Sequence, residues 1–122
     1  MTRATLAVYT NPSDPSRDEE FNSWYNEVHL PDVLAVDGFV AATRYRVANA
    51  GIGGDGEPPH RYVALYEIES DDPQATLNAL VAASPTLSDV LQMDPIPVMM
   101  LFEQVSERIV GGQPAGATSS GG

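Results

Sequence analysis

The sequence predicts an α+β fold, a ferredoxin-like βαββαβ unit with a four-stranded antiparallel sheet, and three observations predict it. Strand-like and helix-like segments follow in the order strand, helix, strand, strand, helix, strand, the split βαβ pattern, within 122 residues, one domain's worth of chain. Two helical segments cover one face of such a sheet and leave the other bare. The last two strands nevertheless carry apolar groups on both faces. Tyr62, Ala64, Tyr66 and Ile68 alternate with Val63 and Leu65, and Ile96, Val98, Met100 and Phe102 alternate with Met99, Leu101 and Val105. A half-solvated antiparallel sheet alternates apolar with polar residues instead. A second copy of the chain is the economical cover, so we expect a homodimer whose two sheets form a dimeric α/β barrel.

Each element has its own signal. Thr5 to Tyr9 reads as the first strand, and Asn11-Pro12-Ser13-Asp14-Pro15 as a turn. Ser16 and Glu19 fit a capping box. Phe21, Trp24, Tyr25 and Val28 then recur at the spacing of one apolar helix face, which Pro31 ends near His29 or Leu30. Residues 31–38 read as a loop, 39–48 as the second strand, and the glycine-rich Asn49 to Pro59 as a mobile hairpin loop. Arg61 to Glu69 is the third strand. Asp72-Pro73 is a cap with proline at the first helical position, and Leu77, Leu80 and Val81 supply the apolar face of a second helix. Ser84-Pro85 repeats the start signal, and Leu87, Val90 and Leu91 suggest a short third helix. Pro95 to Val105 is the fourth strand. The domain is expected over residues 1–110, with 111–122 a flexible tail.

Composition narrows the chemistry. There are no cysteines and no lysines, which removes thiolate nucleophiles, disulfides, cysteine-ligated metals and Schiff-base catalysis. Both histidines, His29 and His60, lack metal-ligand spacing, so no metal and no cofactor are expected. The formal charge of −11 opposes nucleic acids and anionic membrane surfaces as partners. The longest late apolar stretch, Ile96 to Phe102, is too short to span a bilayer, and the first residues lack the pattern of a secretory leader. A cytoplasmic protein is expected.

The stretch Phe21-Asn22-Ser23-Trp24-Tyr25-Asn26-Glu27-Val28-His29-Leu30-Pro31-Asp32-Val33-Leu34, followed by Val36-Asp37-Gly38-Phe39, resembles the signature of the EthD-like family. The tryptophan–tyrosine pair, the histidine before Leu30-Pro31 and the glycine–phenylalanine ahead of the second strand carry the likeness. It implies the dimeric α/β-barrel superfamily over roughly residues 4 to 106. That superfamily includes polyketide cyclases, muconolactone isomerases, cofactor-free quinol-forming monooxygenases and haem enzymes. Fold alone does not choose among them.

His29 is the leading candidate for chemistry. An imidazole, with an ordinary pKa of about 6.5, transfers protons both ways near neutrality. Helical spacing sets Asn22, Tyr25 and His29 along one edge, bordering an expected cavity between helix and sheet. A position at the helix C-terminus would also favour the charged ring; the alternative is a histidine that merely caps the helix end. Tyr25 joins His29 in the expected catalytic set, with Asp32 as an orienting carboxylate or a plain surface acid. Asn22, Trp24, Phe39, Arg44, Tyr62, Tyr66 and Met100 are the expected substrate-binding residues. Arg44 and Arg46 share a strand face, where an arginine needs a carboxylate such as Glu67 or Glu103, or else an anionic substrate. Together these residues suggest a cofactor-independent enzyme, a dehydratase, cyclase or isomerase-type lyase, acting on a hydrophobic, cyclic or aromatic oxygenated compound. A non-catalytic binding protein and a cofactor-free or haem-dependent monooxygenase are the alternatives.

Overall fold

The computed structural model describes residues 2–48, 59–83, 85, 87–94 and 96–112. β1 (Thr2–Thr10) turns Ala4, Leu6 and Thr10 into the core. After it, the Asp14 side chain accepts hydrogen bonds from the backbone N–H and hydroxyl of Ser16, at 2.8 and 2.7 Å, and starts a 3-10 turn at Pro15–Arg17. α1 (Asp18–Trp24) therefore begins from Arg17 without a side-chain cap. The expected capping box of Ser16 and Glu19 does not form, because Ser16 is already engaged by Asp14. Asp18, Glu19 and Glu20 occupy the first turn of α1, where carboxylates suit the positive end of the helix.

Pro31 does not end this helix. A π-helical turn, Tyr25–His29, follows α1, and α2 (Leu30–Leu34) carries Pro31 near its start. A proline ring clashes with the carbonyl four residues back. Widening the turn just before it relieves that clash; the Leu30 N–H bonds the Tyr25 carbonyl, five residues back. The expected loop from Pro31 thus shrinks to the residues after Leu34. Val28, expected on the apolar face, is turned outward and is 42% exposed.

Gly38 sits at φ +100° just before β2 (Phe39–Arg46). Its carbonyl accepts from the Glu69 N–H at 2.9 Å. A Cβ there would lie 2.8 Å from Thr76 Oγ1, so both backbone conformation and close approach demand glycine. β3 (Tyr62–Ser70) faces Tyr62, Ala64, Tyr66 and Ile68 to the core. α3 (Pro73–Ala83) starts as expected, with Asp72 Oδ1 accepting from Gln74 and Ala75 N–H. Leu77 and Leu80 pack on the core, but Val81 faces outward.

The expected short third helix is absent among the described residues. Val90 and Leu91 are buried through another geometry: Leu91 makes a β-bridge with Pro12, and Ser13 N–H bonds Val90 O at 2.7 Å. β4 spans Val98–Glu103, shorter at both ends than expected. Residues 49–58 of the expected Asn49–Pro59 hairpin loop, the start signal at Ser84 and tail residues 113–122 lie outside the described residues.

The sheet order is β2-β3-β1-β4, with every neighbouring pair antiparallel. Helices cover one face only. On the other, register places Val98, Tyr9, Val63 and Tyr45 in one row, and Met100, Ala7, Leu65 and Thr43 in the next. Val98, Met100 and Phe102 on this open face are 42–48% exposed, as the two-sided apolar pattern requires of a sheet with one bare face. Met99, on the helix side of β4, is 58% exposed. Leu101, on the same side, packs against the core, so the helices cover this edge strand only in part.

Replacing Gly38 by alanine forces a left-handed conformation and the Thr76 contact together. We expect a loss of about 1–3 kcal/mol, read as a lower denaturant midpoint at unchanged slope; a second change, Thr76→Ala, should recover part of the loss.

Candidate functional site

The helical run from α1 to α2 lies on β2 and β3, and its inward face builds an aromatic cluster. Phe21 and Tyr25, both at most 1% exposed, meet at 5.6 Å between ring centroids. Phe21 also meets Tyr62 at 5.5 Å, and Phe39 packs edge-on against Tyr66 at 5.9 Å.

His29 belongs to this cluster. Its ring stacks on Trp24, with centroids 4.9 Å apart and planes 25° apart, and meets the Tyr25 ring edge-on at 4.9 Å. The Trp24 stack is a product of the π-helical turn. In a regular α-helix residues five apart diverge; the wider turn sets them one above the other. The ring is partly buried, and Nδ1 is sealed from solvent. The helix continues to Leu34, so His29 is neither at a helix C-terminus nor a cap for one, and the expected dipole argument does not apply.

Arg44 reaches up from β2 into the same cluster. Its guanidinium carbon lies 4.3 Å from the Tyr25 ring centroid, 5.2 Å from Tyr62 and 5.5 Å from Phe21. Nη2 donates to Asn22 Oδ1 at 2.9 Å and Nη1 to Asn26 Oδ1 at 3.0 Å. Neither expected carboxylate serves it. Glu67 is on the opposite sheet face, opposite Thr5 and Ala41, and Glu103 is on β4, two strands beyond β3. Burial pushes the Arg44 pKa down from its usual value, and the neighbouring phenols and Asp18 oppose that shift.

A directed chain of hydrogen bonds leaves Arg44. Asn22 Nδ2 donates to the Tyr62 hydroxyl at 3.2 Å, and that hydroxyl donates to Asp18 Oδ1 at 2.6 Å. Arg61 Nη2 lies 3.6 Å from the same carboxylate oxygen. One carboxylate thus answers two guanidinium groups, one directly and one through two neutral side chains. Deeper in, the Tyr66 hydroxyl donates to the Tyr25 hydroxyl at 3.3 Å. Burial raises the pKa of both phenols, with the Arg44 charge opposing it, so both stay protonated.

Of the expected residues, the fold brings Asn22, Trp24, Tyr25, His29, Phe39, Arg44, Tyr62 and Tyr66 together. Asp32 is exposed on α2. Met100 is on the open face, paired with Ala7, with the sheet between it and His29. Asn26, Asp18 and Phe21 complete the site and were not among the residues expected to form it. The i, i+4 spacing of Asn22 and Asn26 is the signal that could have found the second asparagine.

A cleft of about 680 Å³ outlined by described residues lies elsewhere than beside His29, where one was expected. It lies on the open face, lined by Thr5, Thr43, Tyr45, Leu65, Glu67 and Phe102, with Arg3, Glu69 and Arg108 at one end. Between helices and sheet, Phe21, Tyr25 and Tyr66 fill the centre of the layer. Among the described residues no group of three or more His, Asp or Glu side chains is placed to hold a metal ion, and no helix is long and apolar enough to cross a membrane.

No family model matches the chain, and no curated protein matches it in sequence. Solved structures do match its fold. An EthD-like protein from Ralstonia eutropha aligns with a TM-score of 0.55 at 18% identity, covering 88% of this chain and 96% of that one. HapK from Hahella chejuensis gives 0.52 at 16% identity over 89% and 99%. An EthD family protein from Bacillus halodurans gives 0.50 at 15% identity over 86% and 100%. Identities this low establish a likeness of fold, and the chain has the ferredoxin-like α+β fold of these EthD-family structures.

Proposed function

We propose that the chain is a cofactor-independent small-molecule enzyme, a lyase or isomerase of the dehydratase or cyclase kind. His29 acts as general acid/base on a cyclic or aromatic oxygenated substrate. One observation carries this reading: an imidazole is clamped between the Trp24 face and the Tyr25 ring, in a cluster that also holds a guanidinium and two neutral phenols. Proton transfer needs a base of fixed orientation, and two aromatic contacts supply it. The orienting role falls to Trp24 and Tyr25 rather than to Asp32. Phenols kept protonated by burial are hydrogen-bond donors, suited to an oxygen on which negative charge develops during enolisation or dehydration. Small shifts of the Trp24 and Arg44 side chains, both only partly buried, admit a planar guest at the rim of the cluster.

The working unit in this reading is a homodimer joined through the open face. Val98, Met100 and Phe102 form an exposed apolar row along β4, and a second copy buries it.

Two measurements test these statements. Wild-type protein should accelerate deuterium exchange of the α-methylene protons of benzo-fused cyclic ketones such as 2-tetralone, with saturation in ketone. His29→Gln should lose roughly 10²–10⁴-fold of that rate at an unchanged melting temperature; full activity in the variant rejects His29 as the base. Light scattering during size exclusion should give a dimer for the wild type, and Met100→Glu should shift it to monomer. A wild-type monomer at micromolar concentration rejects the assembly.

A further inference from the structure

We infer that this site takes a planar ligand bearing a negatively charged oxygen, an aryl carboxylate or a ring enolate, and that Arg44 is the residue that selects it. The inference deepens the functional reading above and names the substrate class for the same site.

Three features of the guanidinium support it. First, its charge is poorly answered. The chain has 17 acidic residues against 6 arginines, yet the two groups that bond the Arg44 amino nitrogens are neutral amides. Other arginines find acids directly: Arg17 meets Glu20 at 2.9 Å and Asp89 at 3.1 Å, and Arg61 meets Asp18. Second, Arg44 Nε is sealed from solvent and, among the described residues, has no acceptor. An unsatisfied buried donor is costly, more so on a charged group. Third, the Tyr25–Tyr66 pair has two hydroxyl protons and one hydrogen bond between them. The proton of the accepting phenol has no described acceptor, and it belongs to the very ring on which the guanidinium rests.

An anionic oxygen at this place would accept from the orphaned donors and answer the charge in one step. Charge-assisted hydrogen bonds of this kind are about twice as strong as neutral ones. The aromatic walls select planarity: the Tyr25, Phe21 and Tyr62 rings already present their faces to a flat cation. An anion that accepts from the in-plane N–H donors shares the plane of the guanidinium, so a flat conjugated body fits against the same ring faces.

Calorimetric titration tests the idea with two matched pairs: 2-naphthoate against 2-naphthamide, and 4-hydroxycoumarin, ionised to its enolate at pH 8, against its O-methyl ether. The wild type should bind one anion or both at least roughly tenfold more tightly than the neutral partner. Preference within the first pair alone marks a carboxylate ligand, and within the second alone an enolate. Asn26→Asp sets a carboxylate on the exposed edge of the guanidinium; it should raise the melting temperature and reduce the preference to less than about threefold. Arg44→Gln should do the same to the preference, and Arg44→Lys should retain part of it. His29→Gln should leave the preference intact, which separates this inference from the catalytic reading: lost turnover with retained selectivity supports both. Equal binding of charged and neutral partners by the wild type, or an undiminished preference in Asn26→Asp, overturns the inference.

Discussion

The first helix cannot keep α-helical geometry through Pro31, and much of the site depends on that constraint. The ring of Pro31 conflicts with the carbonyl of Glu27 four residues earlier. The chain resolves the conflict by opening one turn rather than by stopping. Opening the turn brings the i, i+5 pair Trp24 and His29 into a stack while leaving the i, i+4 pair Tyr25 and His29 in edge contact. Neither contact alone would fix the imidazole plane; together they do. The same change of register rotates Val28 out of the core and lets Val33 into it. A local steric fact thus sets backbone geometry, and backbone geometry sets which rings meet.

Beneath that turn, the placing of Arg44 follows from cost. A guanidinium taken partly out of water loses hydration, and π-faces with amide oxygens restore only some of it. Direct pairing with a carboxylate would restore more. The site instead routes its link to Asp18 through Asn22 and the Tyr62 hydroxyl, and Asp18 is shared with Arg61. The result is a cationic centre with neutral immediate neighbours. Such an arrangement sacrifices stability for an electrostatic potential that a bound anion can use, a trade expected at sites rather than in structural cores.

Much of the fold was legible because its signals are redundant. Period-2 apolar patterns, the Asp72-Pro73 helix start and the order of elements agree on one answer. The errors occurred where two local rules competed. Proline as a helix stop was overridden by a π-helical turn. Ser84-Pro85 with Leu87, Val90 and Leu91 had the form of a helix, yet Val90 and Leu91 are buried by pairing against the turn at Pro12. The site was legible along the helix, where regular spacing sets Asn22, Tyr25 and His29 on one edge, and across β3, where Tyr62 and Tyr66 share a face; the stack of Trp24 on His29 was not, because it depends on the π-helical turn. It was not legible on β4. There both faces are apolar, so the pattern carries no information on whether Met100 or Leu101 faces the helices. Only the pairing of Leu6 with Leu101 and of Ala7 with Met100 decides it. The partners of Arg44 were hidden for a similar reason: sequence shows the charge and the acids, but not that Glu67 lies on the other side of the sheet.

The two sheet faces are linked through the strands they share. On β2, Arg44 stands between Thr43 and Tyr45; on β3, Tyr62 and Tyr66 alternate with Val63 and Leu65. Arg44, between Thr43 and Tyr45, and Tyr66, between Leu65 and Glu67, are therefore flanked by residues that line the cleft of the open face. Because a one-residue slip would exchange the two sets, register on these strands is specified from both sides. A partner packed on the open face would hold Thr43, Tyr45 and Leu65 in place, and through the pleat it would hold Arg44, Tyr62 and Tyr66. Self-association through the open face would then do more than cover apolar surface. It would stiffen the strands on which the guanidinium and the phenols are mounted, and so preserve a geometry that the helices, packed on one side only, would enforce less strictly.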